Sequence, residues 1–170
     1  DYVIVALNNG NGASVITPPS GFSLLLRIPM SSYSPMRTTA VYGLPVPAAS
    51  ALTGTSNWTF GSSQTTRQVA TAFVVRNVKL SDPVAGVSGI PAASNRMPSY
   101  SVASDDSLTI MVAVSVTLSP DVSLPMVPSG STHTTIVQTQ STSSTSDTRQ
   151  TLSVFTYGAN TPTQAEVTYD

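Results

Sequence analysis

The chain reads as an all-β protein: an antiparallel β-sandwich or jelly roll of about nine or ten strands with Pro/Gly/Ser-rich loops. Three observations predict it. Residues 107–119 alternate without interruption. Leu108, Ile110, Val112, Val114, Val116 and Leu118 fall on one face, and Ser, Thr, Met and Ala fall on the other, the period of a strand with one buried side. Helix formers are scarce: Glu and Lys occur once each in 170 residues. Thirteen prolines run from Pro18 to Pro162, and each interrupts a helix or a central strand. Val, Ile, Thr and Tyr, which suit a pleated surface, are abundant.

The elements follow in chain order. Residues 2–7 and 13–17 read as a hairpin around Asn8-Asn9-Gly10-Asn11-Gly12, whose Asn-Gly steps suit positive φ. Residues 22–28 form a strand ended by Pro29, and residues 38–42 and 58–60 form shorter ones. Residues 65–80 form a long strand that is apolar on both faces in its middle, which predicts a central or doubly covered position. Asp82-Pro83, Gly86 and Gly89 then mark a loop. The alternating strand at 107–119 comes next, then a short one at 136–140. Residues 150–157 and 163–169 read as a closing hairpin around Gly158, Asn160 and Pro162.

This length suits a single β domain over residues 1–170, with a minor alternative break near 141–149 where Ser and Thr run together. Longer loops at 30–37, 43–57 and 84–100 are places where such frames carry function. Aliphatic-Pro pairs recur at Ile28-Pro29, Leu44-Pro45, Ile90-Pro91 and Leu124-Pro125, without a fixed period, so no repeat is read. No segment reads as a signal peptide, and Asp1 reads as the start of a mature or trimmed chain.

Composition narrows the function classes. Charged residues make up 9% and the net charge is −1, which argues against strong nucleic-acid binding and against a polybasic membrane surface. No apolar run reaches the roughly 18 residues of a membrane span. The absence of cysteine removes disulfides, thiolate zinc sites and thiol nucleophiles. His133, the lone histidine, would be the base of any Ser-His-Asp hydrolase, but no Gly-x-Ser-x-Gly elbow accompanies it. It reads as a loop or edge-strand residue. Asp105-Asp106 could join Asp82 or Asp121 around calcium, and reads more simply as a hairpin turn before the alternating strand. Glu166 is the sole glutamate, so a two-carboxylate mechanism would rest on aspartates. Asn57-Trp58-Thr59 matches a glycosylation triplet; Trp58 could stack on a sugar, but a single Trp in a strand reads first as core. Arg27, Arg37, Arg67, Arg76, Arg96 and Arg149 are dispersed, with no basic cluster. No catalytic, cofactor-binding or metal-ligating residue is assigned, no cofactor is expected, and the chain is not read as an enzyme.

What stands out is neutrality. Fifty residues are Ser or Thr, and a surface of Ser, Thr, Ala, Val and Pro loses little desolvation energy when covered. The Thr/Ser/Val strands such as 107–119, the Pro-bearing loops and the poverty in Lys and Glu resemble the coat-protein β-domains of small non-enveloped RNA viruses, especially their protruding domains. The resemblance lies in composition and strand pattern over the whole chain, and carries no functional residue with it. It implies a structural protein at the virion surface or outside the cell. Its partners would be copies of itself or other coat-protein chains, with a host receptor or glycan as a further one. A secreted adhesin or pilus-like subunit is the alternative, tested by whether residues 2–7 pair outside their own fold; a carbohydrate-binding module using Trp58, Tyr33, Tyr42 or Tyr100 is another.

Overall fold

A computed structural model describes residues 1–9, 16–30, 37–47, 57–62, 68–84, 87, 96–97, 100–101, 108–117, 131–141, 147–157, 163–164 and 167–168. Among them there is no helix, and every strand pairing is antiparallel. The chain divides into two compact units, Asp1–Val87 and Ser88–Asp170.

Unit 1 holds β1 (Tyr2–Asn9), β2 (Ile16–Thr17), β3 (Ser23–Met30), β4 (Arg37–Pro45), β5 (Gly61–Ser62) and β6 (Gln68–Val75). Its main sheet has the order β3-β4-β1-β6. β1 is central, pairing with β4 from Tyr2↔Pro45 to Asn9↔Thr38 and with β6 from Tyr2↔Val75 to Asn9↔Gln68. Every residue of β1 is buried, as a strand apolar on both faces requires. One face, Val3, Val5 and Leu7, joins Ile16, Phe22, Ala40, Tyr42 and Val46 in the core, with Leu44, Trp58 and Phe60 packed against it. On the other, the Tyr2 ring lies over Gly43, where an added Cβ would collide with it.

The expected N-terminal hairpin is corrected. β2 pairs with β5, not with β1. Turn chemistry at Asn8–Gly12 is a local signal, whereas pairing both edges of β1 along its whole length needs two long partners, which β4 and β6 supply. The strand expected over 58–60 lies instead at Gly61–Ser62. β3 runs through Pro29, which pairs with Thr38 and is tolerated because β3 is an edge strand. β6 is shorter than expected and is also an edge. The chain leaves the sheet at Arg76, Asn77 takes φ 59°, a left-handed conformation that Asn accepts, and Asp82 N–H donates to the Lys79 carbonyl (3.2 Å) to close a turn. Pairing also continues past the end of β1: Val46 N–H donates to the Asp1 carbonyl (2.9 Å) and the Asp1 nitrogen donates to the Val46 carbonyl (3.1 Å).

Unit 2 holds β7 (Arg96–Met97), β8 (Tyr100–Ser101), β9 (Leu108–Thr117), β10 (Ser131–Ser141), β11 (Asp147–Tyr157), β12 (Thr163–Gln164) and β13 (Val167–Thr168). Its three-stranded sheet has the order β10-β11-β9. β9 falls where the alternation places it, and Ile110 is partly buried; Leu118 lies outside the described residues. β10 is more than twice the length expected at 136–140. The C-terminal hairpin is corrected: β11 pairs with β10 and β9, while β12 pairs with β8 and β13 with β7. The pairings β12–β8 and β13–β7 keep one register, from Thr163↔Ser101 to Thr168↔Arg96. Residues 142–146 connect two neighbouring strands of one sheet.

Candidate functional site

The residues weighed for chemistry do not converge among the described ones. His133 lies in β10, an edge strand, opposite Phe155. Asp105, Asp106, Asp121 and Glu166 lie outside the described residues, and Asp82 is exposed in its turn. Among the described residues no three His, Cys, Asp or Glu side chains group as a metal site, and no helix is long and apolar enough to cross a membrane. The exposed Arg76 guanidinium sits 3.6 Å from the nearly buried Asp1 carboxylate, an ion pair longer than a hydrogen bond.

The aromatic residues are used in packing. Phe22 meets Trp58 edge-on at 5.5 Å and Phe60 at 5.1 Å, and Phe60 meets Tyr42 at 5.3 Å, spacings at which such pairs add about 0.5–1.5 kcal/mol each beyond burial. Tyr42 is buried, and its hydroxyl donates to the Ile16 carbonyl (2.7 Å). Burial pushes its phenol above the ordinary value, while the positive Arg27 pulls it down; burial raises Tyr2 as well. Trp58 is thus a core-facing residue between exposed Asn57 and Thr59. Tyr33 is outside the described residues, and Tyr100 lies in β8.

A second buried group is polar. Asn8, Asn9, Thr38 and Thr39 lie at one end of the main sheet, with Thr71 further along β6, all at 8% exposure or less. Asn8 Nδ2 donates to Thr39 Oγ1 (3.0 Å), while Asn8 Oδ1 has no hydrogen-bond partner. This pair fixes register. A one-residue slip would turn the amide to the other face of the sheet and break this bond, and a buried unpaired polar group costs about 1–3 kcal/mol.

The surface best suited to a partner is the outer side of β6. Its residues alternate between exposed and covered. Gln68, Ala70, Ala72 and Val74 are exposed; Val69 and Thr71 are buried, with Phe73 and Val75 partly so. The exposed strip is neutral and runs about 20 Å at strand spacing. Among the described residues no strand lies on the outer edge of β6, which carries no bulge, no proline and no charge over eight residues in unbroken register with β1. The opposite edge, β3, is defended: it has a bulge at Leu25, and Arg27 and Pro29 are exposed on it, devices that discourage edge pairing. Leu24 and Val87 are further exposed apolar residues. Sequence reading missed this strip because Ala70 and Ala72 count as apolar; the signal was their small size opposite the larger Val69, Phe73 and Val75. The chain matches no protein-family model, no curated protein and no solved structure.

Proposed function

We propose that this is a non-enzymatic structural protein, a viral capsid or capsid-protrusion domain. It associates with copies of itself or with other coat-protein chains and offers its loops to a host receptor or glycan, at the virion surface or outside the cell. In this reading the antiparallel sheets belong to a β-sandwich or jelly roll and work without a cofactor. The observation that supports self-association is neutrality: 15 charged side chains in 170 residues, and, among the described residues, sheet edges at β6 and β9 without proline or charge. The virion assignment rests on the resemblance of composition and strand pattern. The pilus-like alternative gains nothing from residues 2–7, which occupy the centre of their own sheet.

Sedimentation at tens of micromolar, at low salt and again near 1 M sodium chloride, tests this reading. Screening at about 3 Å removes charge pairs and leaves apolar burial intact, so the association should persist at both. A monomer at both salts overturns self-association. Association lost in salt overturns the neutral contact.

A further inference from the structure

The two units share a topology. In each, the first long strand pairs with the third and the third pairs with the second, giving β3-β4-β1 and β10-β11-β9. The correspondence extends to an irregularity. In the β3–β4 ladder Leu24 faces Tyr42 and Leu26 faces Val41, leaving Leu25 as an extra residue. In the β10–β11 ladder Thr135 faces Ser153 and Val137 faces Leu152, leaving Ile136 extra. Leu25 and Val41 are 16 residues apart in sequence, as are Ile136 and Leu152. Both ladders between first and third strands run without a shift. A bulge of one aliphatic residue, on the same strand and at the same spacing from its partner, marks a repeated supersecondary unit.

The units differ at one edge. β1 carries β4 on one side and β6 on the other. β9, its counterpart, carries β11 on one side, and among the described residues no strand lies on its other side. That open edge is ten residues long, with no bulge against β11, no proline and no charge, the features that leave a strand free to accept another.

We infer that β9 pairs antiparallel with β9 of a second copy of this chain, in the position that β6 takes beside β1. This rests on the self-association proposed above and names its surface. The strand is complementary to itself. A two-fold axis at Val112 sets Leu108 opposite Val116, Ile110 opposite Val114, Met111 opposite Ala113 and Thr109 opposite Ser115, aliphatic against aliphatic, the long Met against the small Ala, and hydroxyl against hydroxyl. β6 lacks this property. A two-fold pairing of β6 over its full length would set Gln68 opposite Val75 and Ala70 opposite Phe73, polar against aliphatic and small against large. The β9 pairing would join two three-stranded sheets into one of six.

The absence of native cysteine makes cross-linking a clean test. The double variant M111C/A113C should form a disulfide-linked dimer on mild oxidation, while Gln138→Cys on the bulged edge strand β10 should not. Ala113→Lys should weaken association by roughly tenfold or more in sedimentation, with an unchanged circular dichroism spectrum. If Ala113→Lys disturbs the fold, Ser115→Lys gives the same reading. A wild-type dimer that neither cross-links at these positions nor responds to the lysine overturns this surface and leaves self-association standing. A wild-type monomer overturns both.

Discussion

β1–β3–β4 and β9–β10–β11 take the same strand order from very different residues. β3 carries Leu24, Leu25, Leu26 and Ile28, whereas its counterpart β10 is STHTTIVQTQS. The third strands, β4 and β11, hold Tyr42-Gly43 and Ser153-Val154 at matching places beside the bulge. Apolar content therefore does not decide strand order here. The conserved elements are geometric: one extra residue on the second strand, the same distance back to its partner, and an unbroken ladder between first and third. The neighbours of the first strand differ between the units among the described residues. With strands on both edges, β1 is buried along its whole length.

The largest expected effect separates the units by their cores. Val3→Asp places a charge at a site with 1% exposure and should cost more than about 4 kcal/mol, enough to abolish cooperative folding of unit 1. Hydrogen exchange read by mass spectrometry should lose protection over β1, β3, β4 and β6. Val114→Asp makes the same change on the aliphatic register of β9 and should abolish protection over β9 to β11. A soluble Val114→Asp protein that still melts cooperatively would mean that this register is not buried, and the parallel between the first strands would fail.

A smaller effect sharpens the comparison. Gly43 faces Ile4 in the β4–β1 ladder, and Val154 faces Ile110 in the β11–β9 ladder. Unit 1 begins its first strand with Tyr2, and unit 2 begins with Leu108. In unit 1 the Tyr2 ring fills the space that a side chain at 43 would need. Gly43→Ala should therefore cost about 1–3 kcal/mol through overpacking. The double variant Tyr2→Leu/Gly43→Val, which installs the residue pair of unit 2, should recover much of that loss in urea melts. A double variant as weak as or weaker than Gly43→Ala would show that the two positions are not interchangeable.

Some of this was legible in the residues. The alternation from Leu108 to Val116 placed β9, because only a strand keeps period two for so long. β3 and β4 were found from their apolar runs and missed only at their ends. β10 was largely invisible, since a run of Ser, Thr and Gln has no apolar alternation, and its partner β11 decides it. The hairpin expectation for β1 fails because turn residues speak for neighbours in sequence, while its paired residues in β4 and β6 lie 29 or more residues away. The repeat was sought in aliphatic-Pro pairs, yet it resides in register and bulges, which no residue type announces. At the candidate surface, neutrality was visible in the composition, but which edge stays open is a fact of pairing.

The buried phenols give a pH dependence of moderate size. Burial raises Tyr2 and Tyr42 above the ordinary value of 10.0, so the unfolded chain releases these protons first. The stability linked to their neutral forms is complete below about pH 10 and is lost as pH rises through the folded values. Tyr42→Phe removes the hydrogen bond to the Ile16 carbonyl and should cost about 1 kcal/mol at neutral pH. It should also flatten the alkaline fall in melting temperature. The matching position in unit 2 is Ser153, which does not titrate in this range. An alkaline fall unchanged in both Tyr42→Phe and Tyr2→Phe would place its origin elsewhere.

The smallest effect concerns charge. Arg76 follows β6 directly, and its guanidinium lies 3.6 Å from Asp1, with the arginine 71% exposed. An exposed partner is screened and loses side-chain entropy when held, so such pairs contribute about 0–1 kcal/mol. Arg76→Ala should shift the denaturation midpoint within that range, and should shift it less at high salt. The same substitution also removes the charge directly after the end of β6. If β9 carries the contact between copies, Arg76→Ala leaves the sedimentation of the wild type unchanged. If association strengthens instead, β6 competes with β9 for a second chain, and the charge of Arg76 at its end guards that edge rather than any bulge or proline within it.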